Sequence, residues 1–188
     1  MDTPKAGQNM TPFDLALITL DDGLKPFAEQ LGRDHIAYRN HCARVLHAYA
    51  SMVKDETAMR QAAVATIYHD LGIWTDGTLD YLEPSAELAR QAVLDMGESA
   101  WVDPVTAMVR WHHKLRAYRG AHAAAVEPYR RADSADVMLG LIRYGIDADV
   151  LRAGRLRFAN AGFHKRLLQL GGQRFLRRPW SPLPMFRW

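Results

Sequence analysis

At 188 residues, with 48% hydrophobic and 24% charged, the chain has ordinary globular composition and enough length for one domain with a substantial core, or one domain plus an appendage. No apolar run is long enough to span a bilayer and the start, Met1-Asp2-Thr3-Pro4-Lys5, lacks the apolar segment of a signal peptide, so a cytoplasmic protein without a membrane partner is expected. The single cysteine, Cys42, excludes an internal disulfide and any cysteine-based zinc cage, and the net charge of +3 hides an asymmetry between an acidic body and a basic end.

Residues 1–10 read as a disordered leader. Thr11-Pro12-Phe13-Asp14 has the form of a helix start, with Thr as N-cap, Pro in the first turn and an acid behind it. That helix should run through Leu15, Leu17, Ile18 and Leu20, with room for a break near Asp22-Gly23 before Lys25–Leu31 and an end at Gly32. Asp34 caps a second helix from about His35 to Val53, whose apolar positions Tyr38, Val45, Ala48, Tyr49 and Met52 turn His41 toward the core. A third helix, about Glu56 to Leu71, carries Met59, Ala63, Ile67 and the pair His69-Asp70, with Gly72 as its stop. Pro84 starts a fourth helix that ends near Gly97, and Asp103-Pro104 opens a fifth that carries Val105, Met108, Val109, Trp111, His112 and His113. After a Gly120–Ala125 linker, Glu127-Pro128 begins a sixth with Asp133 and Asp136; Asp147 begins a seventh, and Ala161 to Arg177 reads as an eighth.

No alternating β-branched run occurs, so the fold expected is all-α: a bundle of about six core helices over residues 11–146, followed by a helical extension over 147–188. Residues 150–188 hold nine basic residues and no acid, against 15 Lys/Arg and 21 Asp/Glu in residues 1–149. The basic residues alternate with Leu156, Phe158, Phe163, Leu167, Leu168 and Leu170 and carry no RNA-binding signature. The extension is therefore expected to dock on the acidic body or on a second subunit as a homodimer, not on nucleic acid. The aromatics of the closing Pro-rich segment, Trp180, Phe186 and Trp188, need a surface to lie on.

Each of four predicted helices presents metal-capable side chains among apolar neighbours: His41, His69-Asp70, His112-His113 and Asp133. Ionisable groups in an apolar setting are costly unless something binds them, and imidazole with carboxylate suits a divalent cation. Taken singly, His41 reads as a satisfied core histidine, and His69-Asp70 as groups that cap a helix end. Together on four antiparallel helices they can converge at one level.

The order His, His-Asp, His-His, Asp resembles the HD-domain superfamily of metal-dependent phosphohydrolases. The resemblance covers about His35 to Tyr144 and rests on Asn40-His41-Cys42-Ala43-Arg44-Val45, Ile67-Tyr68-His69-Asp70-Leu71-Gly72, Trp111-His112-His113-Lys114 and Arg131-Ala132-Asp133. It implies that His41, His69, Asp70 and Asp133 form a four-ligand site, with Asp70 bridging to a second metal where there is one and His112 or His113 serving it. The ions would be one or two of Mn, Fe, Co, Ni, Zn or Mg, undistinguished by ligand type. In binuclear members a His-Pro follows the HD helix; here Glu83-Pro84 stands in that place, and Glu83 either binds a hard cation or substrate, or caps the next helix.

The implied activity is hydrolysis of a small phosphate ester, with Asp70, His113 and Lys114 in catalytic roles and Glu83, Lys114, Arg116 and Asp136 facing an anionic, phosphorylated substrate. Arg44 and Arg131 are further cationic candidates, and each cation competes with a plain surface or ion-pairing role. Asp136 lies one turn beyond Asp133, where it either orients water or a ligand or pairs with Arg130 or Arg131. The Gly-Tyr-Pro signature of cyclic-di-GMP phosphodiesterases is missing, and Trp74 replaces the acid of deoxynucleotidase-like members. The family also includes di-iron oxygenases acting on small polar substrates, and hydratases or lyases, which stand as alternatives beside a metal-binding protein without turnover.

Overall fold

The computed structural model describes residues 10–181 and 183–186; the expected leader, apart from Met10, and Trp188 lie outside them. Among the described residues the fold is all-α, with ten helices: α1 Pro12–Leu24, α2 Ala28–Leu31, α3 His35–Met52, α4 Glu56–Tyr68, α5 Gly72–Thr75, α6 Leu82–Asp95, α7 Val102–Trp111, α8 Ala123–Val137, α9 Ala148–Arg157 and α10 Phe163–Arg177. No helix is long and apolar enough to cross a membrane.

Local chemistry sets several of these boundaries. Thr11 closes a capping box with Asp14, its hydroxyl accepting from the Asp14 amide while the Asp14 carboxylate accepts from the Thr11 amide. Asp55 and Asp147 cap α4 and α9 with carboxylates that accept from the Ala58 and Asp149 amides. The first helix breaks later than Asp22-Gly23, in a 3₁₀ turn at Lys25–Phe27, because Pro26 has no amide to donate. Gly23 stays helical and serves proximity: a Cβ there would meet Ile67 Cδ1 at 2.3 Å, so its absence lets α1 lie on α4.

Three expectations are corrected. Gly72 does not stop α4; the helix ends at Tyr68 and Gly72 opens α5. Its value is space, since a Cβ would sit 3.0 Å from the Tyr81 carbonyl and from Ser85 Oγ, and its amide donates to that Oγ. His112 and His113 lie just past the end of α7, not inside it. The sixth long helix starts at Ala123, four residues before Glu127, because Ala123-Ala124-Ala125 are strong helix formers and Pro128 is tolerated near the start.

The middle of the bundle is α3, which packs on α1, α4, α8 and α9. Tyr38, Val45, Leu46 and Tyr49 of α3 are wholly buried with Leu20, Ala63, Val105, Met108 and Tyr129 of its neighbours. The extension folds back on the same chain. Gly154 of α9 brings that helix against His47, Asn40 donates to the Ala159 carbonyl at 2.8 Å, and Phe163 at the head of α10 stacks on the His41 ring at 4.1 Å. Its basic residues meet acids of the body, Arg166 with Asp34 at 2.8 Å and Arg174 with Asp80 at 2.9 Å. Trp180 stays exposed, and Phe186 tilts over His113 with ring centroids 5.4 Å apart.

Candidate metal centre

Four helices deliver six side chains to one buried point. His41 comes from mid-α3, His69 and Asp70 from the end of α4, His112 and His113 from the end of α7, and Asp133 from α8. Helix ends leave carbonyls without partners, and two of the histidines use them. His69 Nδ1 donates to the Thr66 carbonyl at 2.8 Å, and His112 Nδ1 donates to the Val109 carbonyl at 2.7 Å, each three residues back. His41 Nδ1 lies 2.8 Å from Asp136 Oδ2. Carbonyls and carboxylates only accept, so all three rings carry their proton on Nδ1 and turn a bare Nε2 inward. Capping a helix and facing a ligand are thus done by the same ring.

What those nitrogens face has no proton to offer either. His41 Nε2 is 3.1 Å from His69 Nε2, 3.3 Å from Asp133 Oδ1 and 3.9 Å from Asp70 Oδ2. His69 Nε2 lies 3.4 Å from Asp70 Oδ2 and 3.7 Å from Asp133 Oδ1. The other oxygen of Asp70 looks the opposite way, with Oδ1 3.2 Å from His112 Nε2 and 3.9 Å from His113 Nε2. His113 Nδ1 is 3.5 Å from Asp133 Oδ2. Both oxygens of Asp133 are fully buried and lack an aligned donor. Lone pairs converging without donors cost several kcal/mol each unless a cation or a proton sits among them. Two such groupings, His41-His69-Asp70 and Asp70-His112-His113, could each hold a metal ion, with Asp70 in both.

The metal-free electrostatics show the same conflict. Burial works against a charged His41, yet Asp133 and Asp136 beside it raise its pKa to about 9. Burial lowers His69 to about 4, and burial with the neighbouring His112 lowers His113 to about 3. Burial would raise the carboxylates, but His69 and His112 hold Asp70 well below the usual range, and His41 lowers Asp133. His112 is raised too, against its burial, by its bond to Asp70 and the Asp133 charge, so protons on His41 and His112 do part of what a cation would do for all six.

Behind the cluster lies a supporting layer. Asp136 accepts from His41, from Arg44 Nε at 2.7 Å and from Arg44 Nη2 at 2.9 Å, while Arg44 Nη1 reaches the Phe158 carbonyl at 3.0 Å. Tyr38 stacks on His69 and donates to the Ile67 carbonyl at 3.0 Å. On the far side the Tyr81 hydroxyl lies 2.8 Å from His113 Nε2, and burial followed by the Asp70 charge keeps it protonated. There a cleft of about 580 Å³ begins, with Asp70, His113 and Tyr81 at its inner end and apolar side chains of α10 and the following segment around it.

Not every predicted residue comes to this place. Glu83 is exposed on α6 and pairs with Arg110 at 2.9 Å, outside the groups that converge with Asp70. Lys114 lies over the Trp111 ring and Arg116 is exposed in the following loop; neither lines the cleft. Asp136 faces away from the cleft with both oxygens taken, and pairs with Arg44 in place of Arg130 or Arg131. Arg130 holds Glu127, and Arg131 reaches the Tyr144 carbonyl. Tyr81, Phe163 and the carbonyls of Thr66 and Val109 are site elements that sequence reasoning missed. The hydroxylated aromatic two residues before Glu83-Pro84 was the only hint of the first. No family model, curated protein or solved structure matches the chain.

Proposed function

We propose that this chain is a metal-dependent hydrolase of phosphate esters belonging to the HD-domain superfamily, in which His41, His69, Asp70, His112 and Asp133 hold one or two divalent cations. The observation that carries the reading is the division of Asp70, whose two oxygens face two separate histidine pairs, as the motif order led one to expect. A bound divalent cation supplies a water of pKa near ~7 and polarises a phosphoryl oxygen. The rest falls to the chain. Asp136, the Thr66 carbonyl and the Val109 carbonyl hold three imidazoles in the ligating tautomer. Phe163 fixes the His41 ring from the side. His113 touches both the cluster and the cleft, so it is the group placed to exchange a proton with a ligand, and the Tyr81 hydroxyl is its partner in that exchange.

The test is a panel of phosphomonoesters and nucleotides with added Mn, Co or Ni. Phosphate release above that of a His69→Ala, Asp70→Ala variant is expected, and none across the panel would remove the proposal. A second reading, a di-iron oxygenase of a small substrate, gains from one observation: no lysine or arginine lines the cleft among the described residues, so the chain brings no cation of its own to a phosphoryl group. Anaerobic purification that yields two irons per chain together with oxygen uptake would put that reading first.

A further inference from the structure

We propose that the ligand of this centre has a small polar head and an apolar body, and that α10 with the segment after it is the specificity wall that selects the body. The inference rests on the metal-centre reading only for where the head sits. The cleft is polar at its inner end alone, where Asp70, His113 and Tyr81 meet. Beyond them its walls are Ile73 and Leu79 on one side, Val137 and Met138 on another, and Leu167 and Leu168 of α10 on a third. One further polar side chain, His164, lines it, and its Nε2 is engaged by the Asp136 carbonyl at 3.0 Å.

Positive charge exists close by, on the wrong face. Arg166 and Arg174 line an adjoining cavity that shares Ile73 and Leu79 with the cleft, and there they pair with Asp34 and Asp80. Of the α10 side chains, Leu167 and Leu168 line the cleft, while Arg166, Leu170 and Arg174 line the adjoining cavity. A polyanion such as a nucleotide would set its charges against carbon along most of the cleft; an alkyl or aryl body is matched by the same walls. The mouth says the same. Leu168 is 78%, Leu139 50% and Leu183 48% exposed, an apolar cluster left in water around the entrance to a charged centre. Mostly apolar walls with a few convergent polar groups are the usual construction of a small-ligand site, and this cleft lies within the usual size range.

Unbranched alkyl hydroxamates test this without relying on the reaction, because the hydroxamate head chelates a metal centre whatever chemistry it performs. Calorimetric titration of the Mn-loaded full chain with a C2 to C8 series should show affinity rising about fourfold per methylene until the cleft is full, the fold-change given by ~0.8 kcal/mol per buried methylene. Gly171→Phe should abolish that dependence. Gly171 lines the cleft, a Cβ there touches only Leu183 Cδ2 at 3.9 Å, and loss of a mid-helix glycine favours α10. Leu168→Asp, at an exposed position, should flatten the series as well. Metal content and helical signal should stay at the parent level in both.

A series with no chain-length dependence, or one that Gly171→Phe leaves unchanged, overturns the proposal, as does the absence of any hydroxamate binding. So does a stable dimer, by light scattering, that hides Leu168 and Leu139 and binds all chain lengths equally. Chain-length dependence without phosphate release from any ester supports the apolar cleft while removing the hydrolase reading. Phosphate release without chain-length dependence does the reverse.

Discussion

On one side of Asp70 sit His41 and His69, sealed between α3, α4 and α8 with no exposed surface; on the other sit His112 and His113, the second of which meets the cleft. In the sealed half every second nitrogen is tied, one to Asp136 and one to the Thr66 carbonyl, and Phe163 and Tyr38 stack on the rings. In the open half His112 is tied to a carbonyl, whereas His113 has the Tyr81 hydroxyl on Nε2, a partner able to give or take a proton, and Asp133 Oδ2 3.5 Å from Nδ1. The contrast separates two jobs. Rigid imidazoles with fixed tautomers make a tight seat for a cation, and a less constrained ring at a cleft wall can take part in chemistry.

The largest expected effect breaks the sealed half from behind. Asp136→Ala removes the acceptor of His41 Nδ1 and leaves Arg44, which is 4% exposed, without its carboxylate. Stripping one partner from a buried pair costs roughly 3–5 kcal/mol. Metal affinity should also fall by about 10–100-fold, the usual result of losing the group behind a ligating histidine. Chemical denaturation and metal titration read the two effects, and unchanged values in both would show that Asp136 does not support His41.

Acid should strike both halves of the chelated, metal-free chain. His69 and His113 have folded pKa values of about 4 and about 3, each lowered first by burial, against an ordinary 6.5. Between about pH 6.5 and that range the unfolded chain takes up protons that the folded chain refuses, so stability falls as pH falls. His41 in the sealed half acts in the other direction, as does His112 in the open half, where Asp70 and Asp133 raise the ring against its burial. Raised to about 9, His41 contributes stability that is complete below 6.5 and fades as pH rises through 9. Thermal melts from pH 4 to 10 should show a maximum between these limits; stability still climbing at pH 10 would contradict the assignment to His41.

The smallest effect lies in the open half. Tyr81→Phe removes one buried hydroxyl and should leave metal content unchanged while lowering turnover and moving the pH profile. A loss of metal instead would make Tyr81 part of the seat.

Local chemistry was legible in the sequence, and long-range pairing was not. The caps read at Thr11 and Asp147 sit on helix starts because capping involves neighbours a few residues apart, whereas Asp34, read the same way, makes no cap and gives its carboxylate to Trp74 and Arg166 from distant elements. His41, His69, Asp70, His112, His113 and Asp133 could be named because buried ionisable groups on separate helices stand out by type alone. Asp136 was read as facing water or a ligand, or else as pairing with Arg130 or Arg131, but its partner Arg44 is 92 residues away, a pairing made by α3 crossing α8. Gly72 looked like a stop because its real constraint, the Tyr81 backbone, arrives from another element. The placement of Glu83 and Lys114 failed for the same reason: position next to a motif does not say which way a helix turns its side chains. The apolar cleft could not be read at all, since its wall forms only when α10 and residues 183–186 fold back over the bundle.

The two-sided role of Asp70 is tested most directly by counting metal. Full-length protein expressed in metal-supplemented medium and purified without chelator should carry two ions per chain by elemental analysis. His112→Ala should keep the one in the sealed half, and Asp70→Ala should keep less than one, each with parent-level helical signal. Equal metal content in all three proteins would contradict a centre divided by Asp70.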